Sequence, residues 1–304
     1  MAFTTTSNYA GKEAGFYISA ALNQANSLEY LTMMENVKYK SNIQKMAGSG
    51  LVQNATCDFI DAGTLALTEN VLTPKLLQIN LDLCKSTLLD SWEANQMRAG
   101  AGAPPPASFD DYVISYMGEI IANGVEESVW SGAAATAGQF EGFLTATTGA
   151  FAVDGTVNAS TASGAYTAAN IIANLQTLTA DMATDISAVL RKEDLHIYMS
   201  PKTYALYVSA VSTLGYVNAY NMNGDYAPVF EGYKIAVCNG MPNDQLVAAE
   251  KSNLFFGTDL ISDQTANIKL MDMSALNGSD NMRLVARYSG GVQLGIGADI
   301  VHQS

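Results

Sequence analysis

The chain has 304 residues, of which 48% are hydrophobic and 14% are charged, a composition typical of a folded protein rather than a disordered one. Its formal net charge of −14, from 15 basic and 29 acidic residues, excludes the positive surface on which nucleic-acid binding depends. No apolar run approaches the roughly 20 residues of a membrane-spanning helix, and the N-terminus has no signal-peptide pattern.

Residues 1–50 are predicted to form an arm that carries a helix, because apolar residues between Ala14 and Met46 recur with a loosely helical period. A basic patch in this arm is expected to pair with acidic neighbours, since the chain as a whole is strongly negative; it comprises Lys38, Lys40 and Lys45.

Residues 56–89 are predicted to form two extended arms. The second has the period of a half-buried strand, in which polar residues alternate with Leu77, Ile79, Leu81 and Leu83. The first, around Thr64 to Leu72, alternates less regularly. A two-stranded hairpin alone is marginally stable in water, so the pattern indicates that it lies on something else.

A low-complexity loop, AGAGAPPPAS at residues 99–108, precedes the strongest helical pattern. Ser108 is a suitable N-cap with Asp111 three residues later, and apolar residues follow at helical spacing from Phe109 to Gly124. A helix from Phe109 to about Trp130 would be about 33 Å long.

The stretch EESVWSGAAATAGQFEGFLT, residues 126–145, raises the question of a phosphate-binding loop. Gly132 and Gly138 enclose five residues rather than four, no lysine follows, and the stretch comes after a helix rather than a strand. We therefore interpret it as a backbone corner, in which Gly132 ends the helix and Phe143 and Leu144 return to the core.

The rest of the chain mixes helices and strands without a regular βαβ repeat, which predicts the α+β class. Residues 146–166 are predicted to form a loop. The predicted elements after it are a helix from about Thr167 to Leu190, a buried strand at 195–199, a helix starting at Ser200-Pro201, and strands at 233–237, 254–256, 268–271, 282–288 and 292–300.

No constellation of catalytic residues is found. His196 lies in an apolar strand pattern and His302 is two residues from the end, so both are interpreted as structural. Acidic neighbours such as Glu126 and Glu127 point in different directions on a helix and do not form a carboxylate pair. A calcium loop centred on Gly224 fails because its first position is not acidic. We expect no enzymatic activity, no catalytic, cofactor-binding or metal-binding residues, and no cofactor.

The three cysteines have no spacing typical of a zinc site or a disulfide framework. Cys57, Cys84 and Cys238 are therefore expected to be buried free thiols.

Five segments together resemble one family. In chain order they are VEESVWSGAAATAGQFEGFLT, HIYMSPKTYALYV, FEGYKIAVCNGMP, NLFFGTDLISD and MRLVARYSGGVQLGIGADIV. They resemble the major capsid proteins of tailed bacteriophages, which have the Hong Kong ninety-seven fold. Two positions depart from the family pattern: Lys234 stands where a proline is usual, and Thr258 is inserted before Asp259.

The resemblance implies a division of the chain. It comprises an N-terminal arm (1–50), an extended β-hairpin loop (51–90) with residues 77–84 as its second strand, a peripheral domain (91–150 and 251–304) with a spine helix at 108–131, and an axial domain (151–250).

The resemblance also implies a function. Copies would assemble as hexamers and pentamers into an icosahedral virion shell that encloses double-stranded DNA without sequence-specific binding, and assembly would take place in the host cytoplasm. No long charged coiled-coil prefix is present, so a fused scaffolding segment is either cleaved before this numbering or replaced by a separate scaffolding protein, and Met1 favours the second. The expected partners are therefore a separate scaffolding protein, a portal and optional cement proteins, but no membrane. The alternatives are an encapsulin-like nanocompartment shell and another virion or tail structural protein.

Overall fold

The computed structural model describes residues 26–55, 57, 61–84, 107–213, 228–259, 269–274 and 278–304. Predictions for residues 1–25, for most of the proline-rich loop at 99–108 and for the rejected calcium loop around Gly224 lie outside these residues. The described parts have the predicted α+β organisation, and none of their helices is long and apolar enough to cross a membrane.

The helices within the described residues are α1 (Ala107–Ser131), α2 (Ala150–Asp154), α3 (Ile171–Asp185) and α4 (Pro201–Thr213). The strands are β1 (Thr32–Met34), β2 (Ser41–Ser49), β3 (Thr64–Leu72), β4 (Lys75–Cys84), β5 (Asn158–Ser160), β6 (Leu195–Met199), β7 (Val229–Phe230), β8 (Tyr233–Val237), β9 (Leu246–Glu250), β10 (Leu254–Gly257), β11 (Lys269–Asp272), β12 (Asn281–Leu294) and β13 (Val301–Gln303).

A six-stranded mixed sheet has the order β5-β13-β9-β6-β8-β7. Its two faces enter different cores. Ile197 and Leu246 pack against α3 on one face, whereas Tyr198 and Val247 pack on the other face with Trp130 of α1. Because apolar residues cover both faces, β6 is predicted correctly from its continuous apolar run.

The second sheet is built on the long strand β12, which pairs with β4, β10 and β11, while β1 pairs parallel with β10. β4 runs antiparallel to β12 from the pair Lys75 and Gly290 to the pair Cys84 and Asn281. The inward residues of β4 lie opposite the inward residues of β12, which are Met282, Leu284, Ala286 and Tyr288.

The predicted hairpin partner of residues 77–84 is therefore wrong. β4 lies in a sheet of its own chain, and the two-stranded hairpin is formed by β2 and β3, in register from Ser41 and Leu72 to Ser49 and Thr64. The alternation of β4 marks one buried face correctly, but a period of two does not specify which strand lies alongside it.

Residues 26–50 contain no α-helix, in contrast to the helical arm predicted for this region. They form a short 3-10 turn at Ser27–Tyr30 and the strands β1 and β2. Ser27 and Leu31 are buried and β1 belongs to a sheet, so this segment is part of the subunit core.

Four further differences concern the middle and end of the chain. Residues 146–166 contain α2 and β5 rather than only a loop, and α3 is shorter at both ends than predicted. β12 is continuous through Leu294, so the predicted strands 282–288 and 292–300 are not separate units, and the second is replaced beyond Gly295 by a 3-10 turn. β9 has no counterpart among the predicted strands.

The helix preceding the glycine corner was predicted correctly. Helix α4 also begins as expected, because the Ser200 hydroxyl accepts a hydrogen bond from the Thr203 N–H at 3.2 Å.

At the end of α1, Trp130 and Phe143 are fully buried with ring centroids 5.6 Å apart. A Cβ atom on Gly132 would overlap the Phe140 carbonyl oxygen and the Ser128 backbone. Only glycine allows the returning chain to approach α1 this closely.

We predict that Gly132→Ala lowers the free energy of unfolding by about 1–3 kcal/mol, because the added methyl group meets rigid backbone. Gly118→Ala is the matched control: it lies in the same helix with no atom within 4 Å of its Cβ position, and it should be neutral or slightly stabilising. Urea unfolding of both variants measures the difference, and equal stabilities would contradict the close approach at Gly132.

Candidate functional site

The two histidines occupy separate structural positions. The His196 Nδ1 lies 2.7 Å from the Asp194 carbonyl oxygen, and its ring is 5.8 Å from that of Tyr30. His302 packs edge-on against Phe151 at 5.9 Å. Burial lowers the pKa of both histidines, and β9 lies between the strands that carry them. Within the described residues, no three His, Cys, Asp or Glu side chains form a group that could hold a metal ion.

The cysteines are only partly as expected. Cys238 is buried, and burial raises the pKa of its thiol to about 12, which makes it unreactive. Cys57 and Cys84 are exposed, so the expectation of burial is wrong for these two.

The backbone groups of the glycine corner that the structure describes are bonded within the chain. The N–H groups of Ala133 and Ala134 donate to the side chains of Gln139 and Glu141 at 3.2 and 2.8 Å. The Lys75 ammonium donates to the carbonyl oxygens of Ala134 and Gln139 at 2.7 and 2.9 Å. The amides are therefore already occupied and a cation sits on the carbonyls, which agrees with the interpretation as a backbone corner.

A buried polar junction lies beside this corner, centred on Glu126. The Glu126 carboxylate accepts hydrogen bonds from the Ser27 N–H at 3.1 Å, the Ser27 hydroxyl at 2.5 Å and the Gly240 N–H at 2.9 Å. The Trp130 indole N–H donates to the Ser27 hydroxyl at 2.7 Å. Glu126 is fully buried, whereas its neighbour Glu127 is exposed.

Asn26 completes the buried junction by fixing the turn after β8. Its side-chain amide donates to the Val237 carbonyl oxygen at 2.7 Å, and its side-chain oxygen accepts from the Asn239 N–H at 3.0 Å. The junction therefore joins the N-terminal segment, helix α1 and the six-stranded sheet. We did not identify it from the sequence, although Glu126 lies one helical turn before Trp130 and hence on the same face.

The β2–β3 hairpin is held to the body at its base. Lys45 and Asn70 each contact the same oxygen of the nearly buried Asp154 carboxylate, at 3.1 and 3.0 Å. Burial alone would raise the pKa of Asp154, but hydrogen bonds from Thr156, Asn70 and Lys45 outweigh it and leave the pKa below its usual value. This pairing confirms, for Lys45, the expectation that the basic patch meets acidic neighbours.

Beyond this base, one face of the hairpin is apolar and exposed. The strand register places Met46 opposite Leu67 and Gly48 opposite Leu65, all on the face away from Asp154. Met46 and Leu67 are each 67% exposed and Leu65 is 63% exposed. We call Met46, Leu65 and Leu67 the outer face of the hairpin. Exposed apolar side chains grouped in this way are typical of surfaces that contact another molecule.

No protein-family model and no curated protein matches the sequence. Solved structures do match along nearly the whole chain. The capsid of the empty GTA particle has 13% identity and a TM-score of 0.61, covering 99% of this chain and 94% of that chain. The capsid of Myoviridae phage XM1 has 10% identity and a TM-score of 0.62, covering 95% and 94%. Gordonia phage Cozz has 12% identity and a TM-score of 0.59, covering 99% and 91%.

The chain has the tailed-phage capsid fold. The predicted Hong Kong ninety-seven fold is thereby confirmed. In a capsid fold, the features that matter are contact surfaces and the groups that hold them in place. In the described residues, the outer face of the hairpin is exposed and apolar, the Asp154 contacts hold the hairpin, and the buried junction at Glu126 holds the body together.

We predict that Glu126→Ala destabilises the folded chain by about 2–4 kcal/mol, because it leaves three buried donors without their acceptor. Glu126→Gln keeps one acceptor oxygen and should cost less. Glu127→Ala, on the exposed neighbour, is the control and should leave stability unchanged within about 0.5 kcal/mol. Chemical denaturation measures the free energy of unfolding, which should be lowest for Glu126→Ala, intermediate for Glu126→Gln and highest for the wild type. Any other order would contradict the geometry of the junction.

The histidines predict the direction of the pH dependence of this fold. Because the folded-state pKa of His196 and of His302 lies below the ordinary 6.5, the unfolded chain binds more protons at mildly acidic pH. The stability contributed by the histidines should therefore be fully present above about pH 6.5 and decrease as the pH falls below it. As the pH is lowered, the urea midpoint of the double variant His196→Gln/His302→Gln should fall less than that of the wild type. An equal fall in both proteins would exclude the histidines as the cause of the pH dependence.

Proposed function

We propose that the chain is a major capsid protein whose copies assemble as hexamers and pentamers into an icosahedral shell around double-stranded DNA. The observation that carries the proposal is the agreement of fold with two solved capsids. In each comparison the match covers at least 94% of this chain and of the capsid chain. The exposed apolar outer face of the hairpin supports it, because a repeated copy–copy contact would bury this surface.

The domain division follows from the same proposal, with the hairpin reassigned. The extended loop is β2 and β3 with the tip between them. α1 forms the spine of the peripheral domain (91–150 and 251–304). Residues 151–250 form the axial domain; all their described strands lie in the six-stranded sheet, which also takes in β13.

The charge of the chain suits a container for DNA. With −14 per copy, an assembled shell would not bind the phosphate backbone tightly, so the genome could be enclosed without sequence-specific contacts. A strongly basic inner surface in the assembled particle would contradict this part of the proposal. Scaffolding, portal and cement proteins are the proposed partners, and the virion is the proposed location after assembly in the host cytoplasm. In this role the chain has no enzymatic activity.

Electron microscopy of the purified protein tests the proposal. Closed polyhedral particles with six-fold and five-fold clusters of subunits are the expected result, formed alone or with a co-expressed scaffolding protein. Nuclease-protected double-stranded DNA in particles recovered from virus-producing cells would separate a genome shell from a cargo compartment. Tubes, or a monomer that persists under all these conditions, would overturn the proposal.

We further predict that Leu67→Asp on the outer face yields a folded subunit that does not form particles. Leu67 is 67% exposed in the subunit, so the substitution leaves folding unaffected, whereas burying the new carboxylate between copies is unfavourable. Leu67→Met keeps the apolar character and is the matched control. Circular dichroism establishes folding and sedimentation measures assembly; particles from Leu67→Asp at wild-type yield would remove the outer face from the interface.

A further inference from the structure

A short basic loop projects from the subunit between β1 and β2. Lys38, Tyr39 and Lys40 are all exposed, Tyr39 to 76%, and we call these three residues the basic loop. The sequence predicts acidic partners for three lysines of this region, and Lys45 finds one in Asp154. The ammonium groups of Lys38 and Lys40 form no ion pair within the described residues. Both cations therefore lack the partner that the sequence predicts.

The backbone is held on both sides of the basic loop. Before it, the Val37 N–H donates to the Thr258 carbonyl oxygen at 3.0 Å, and the Val37 side chain is buried beside Ile43 and Leu72. After it, Ser41 is the first residue of β2 and pairs with Leu72 of β3. Only three residues separate these two points, which limits how far the loop can move from its position on the subunit.

The Tyr39 ring positions one of the two cations. The Lys40 ammonium lies 5.4 Å from the centre of this ring, which is within the range of a cation–π contact. The exposed tyrosine also adds apolar area and a hydroxyl group, and tyrosine is enriched where proteins contact one another. The basic loop therefore presents two ammonium groups and one aromatic ring to a partner.

The charge of the chain indicates the class of this partner. Two closely spaced ammonium groups are complementary to a surface that carries carboxylates, and a chain with 29 acidic and 15 basic residues presents such surface on every copy. The exposed carboxylates that form no ion pair within the described residues include Glu119, Glu127, Asp185 and Glu193. A nucleic acid is a poorer partner, because two lysines would neutralise only about two phosphates against a net charge of −14.

The rest of the same chain does not offer an excess of acidic groups to the basic loop. Of the two longest segments outside the described residues, 1–25 contains one lysine and one glutamate, and 85–106 contains two basic and two acidic residues. These segments therefore add no net negative charge, and a second copy of the chain is the partner that the charges favour.

We propose that the basic loop of one copy contacts exposed carboxylates of a neighbouring copy in the assembled shell. This inference rests on the proposed function, because it requires contacts between copies. The contact offsets part of the repulsion between two copies that each carry −14, and it does so only where a basic loop faces an acidic surface. It therefore favours that relative orientation of the two copies over others.

Carbodiimide crosslinking tests the contact and identifies the acidic partner residue. The reagent joins a lysine amine to a carboxylate without a spacer: the amine nitrogen forms an amide, and the displaced carboxylate oxygen leaves with the reagent as a urea. Particles are assembled from an equal mixture of chains labelled with heavy nitrogen and unlabelled chains, then crosslinked, digested and analysed by mass spectrometry. Crosslinked peptides that contain Lys38 or Lys40 should combine one labelled and one unlabelled chain.

The matched control for crosslinking is Lys38→Arg/Lys40→Arg. Arginine keeps both positive charges but forms no amide with the reagent, so this variant should assemble like the wild type and lose these crosslinked peptides. Crosslinks of Lys38 and Lys40 only within one copy would overturn the proposal, and so would the absence of any crosslink at these two lysines in assembled wild-type particles.

Charge reversal measures the contribution of the contact. Lys38→Glu/Lys40→Glu changes two exposed side chains, so the subunit should fold normally, and the protein concentration needed for assembly should rise about tenfold or more because attraction becomes repulsion. Arg191→Glu/Lys202→Glu is the control for net charge, because each substitution changes the charge by −2 and both double variants carry −18 instead of −14. Circular dichroism establishes folding and sedimentation measures assembly. An equal rise in both variants would assign the effect to overall charge and overturn the contact.

The outcomes separate this contact from the proposed function. Assembly of the folded Lys38→Glu/Lys40→Glu variant at the wild-type concentration would overturn the contact and leave the shell function intact. If such particles also retained less nuclease-protected DNA, the basic loop would be assigned to nucleic acid instead. Absence of wild-type particles under every condition would remove the proposed function and this contact with it.

Discussion

The burial of the Glu126 carboxylate fixes how the main segments of the subunit meet. Removing a carboxylate from water costs several kcal/mol unless donors replace the solvent. Those donors come from the segment at Ser27 and from the Gly240 N–H, which are far apart in sequence and converge only in the folded chain. Gly240 must be glycine, because a Cβ there would overlap the Glu126 carbonyl oxygen.

Aromatic side chains next to this carboxylate connect helix α1 to the hydrophobic cores on the two faces of the six-stranded sheet. Trp130 contacts Tyr198 at 5.5 Å, and the Tyr198 hydroxyl donates to the Tyr30 carbonyl oxygen at 2.9 Å. Tyr198 lies on the face of β6 that meets α1, whereas Ile197, the residue before it, packs under α3. A shift of α1 would therefore disturb the sheet and the N-terminal segment together.

How far the sequence predicts this molecule depends on whether a feature is local. The alternation of β4, the apolar run of β6 and the cap at Ser200 are local patterns, and each identifies its element correctly. The partner of β4 was predicted wrongly, because pairing is decided by residues some 200 positions away in β12. β9 was missed because a strand buried on both faces, LVAAE, contains small residues and no alternation.

The candidate site shows the same limit. The glycine corner was interpreted correctly from its spacing, because Gly132 ends the helix where the returning chain approaches it closely. From the sequence, Glu126 was considered only as a possible carboxylate pair with Glu127, and its actual partners, Ser27 and Gly240, cannot be found without the fold. The outer face of the hairpin was missed because it depends on the register of β2 with β3, which no local pattern supplies.

The combination of an apolar hairpin and a strongly acidic chain has a consequence for association. Apolar surface alone would promote contacts in any orientation, whereas a charge of −14 on each copy opposes close approach in general. Association is then favourable only where apolar surfaces meet over enough area to exceed the repulsion, which selects for a few well-fitting arrangements. The Asp154 contacts with Lys45 and Asn70 hold the hairpin against the body, so in the proposed shell they would limit which of these arrangements the outer face can reach.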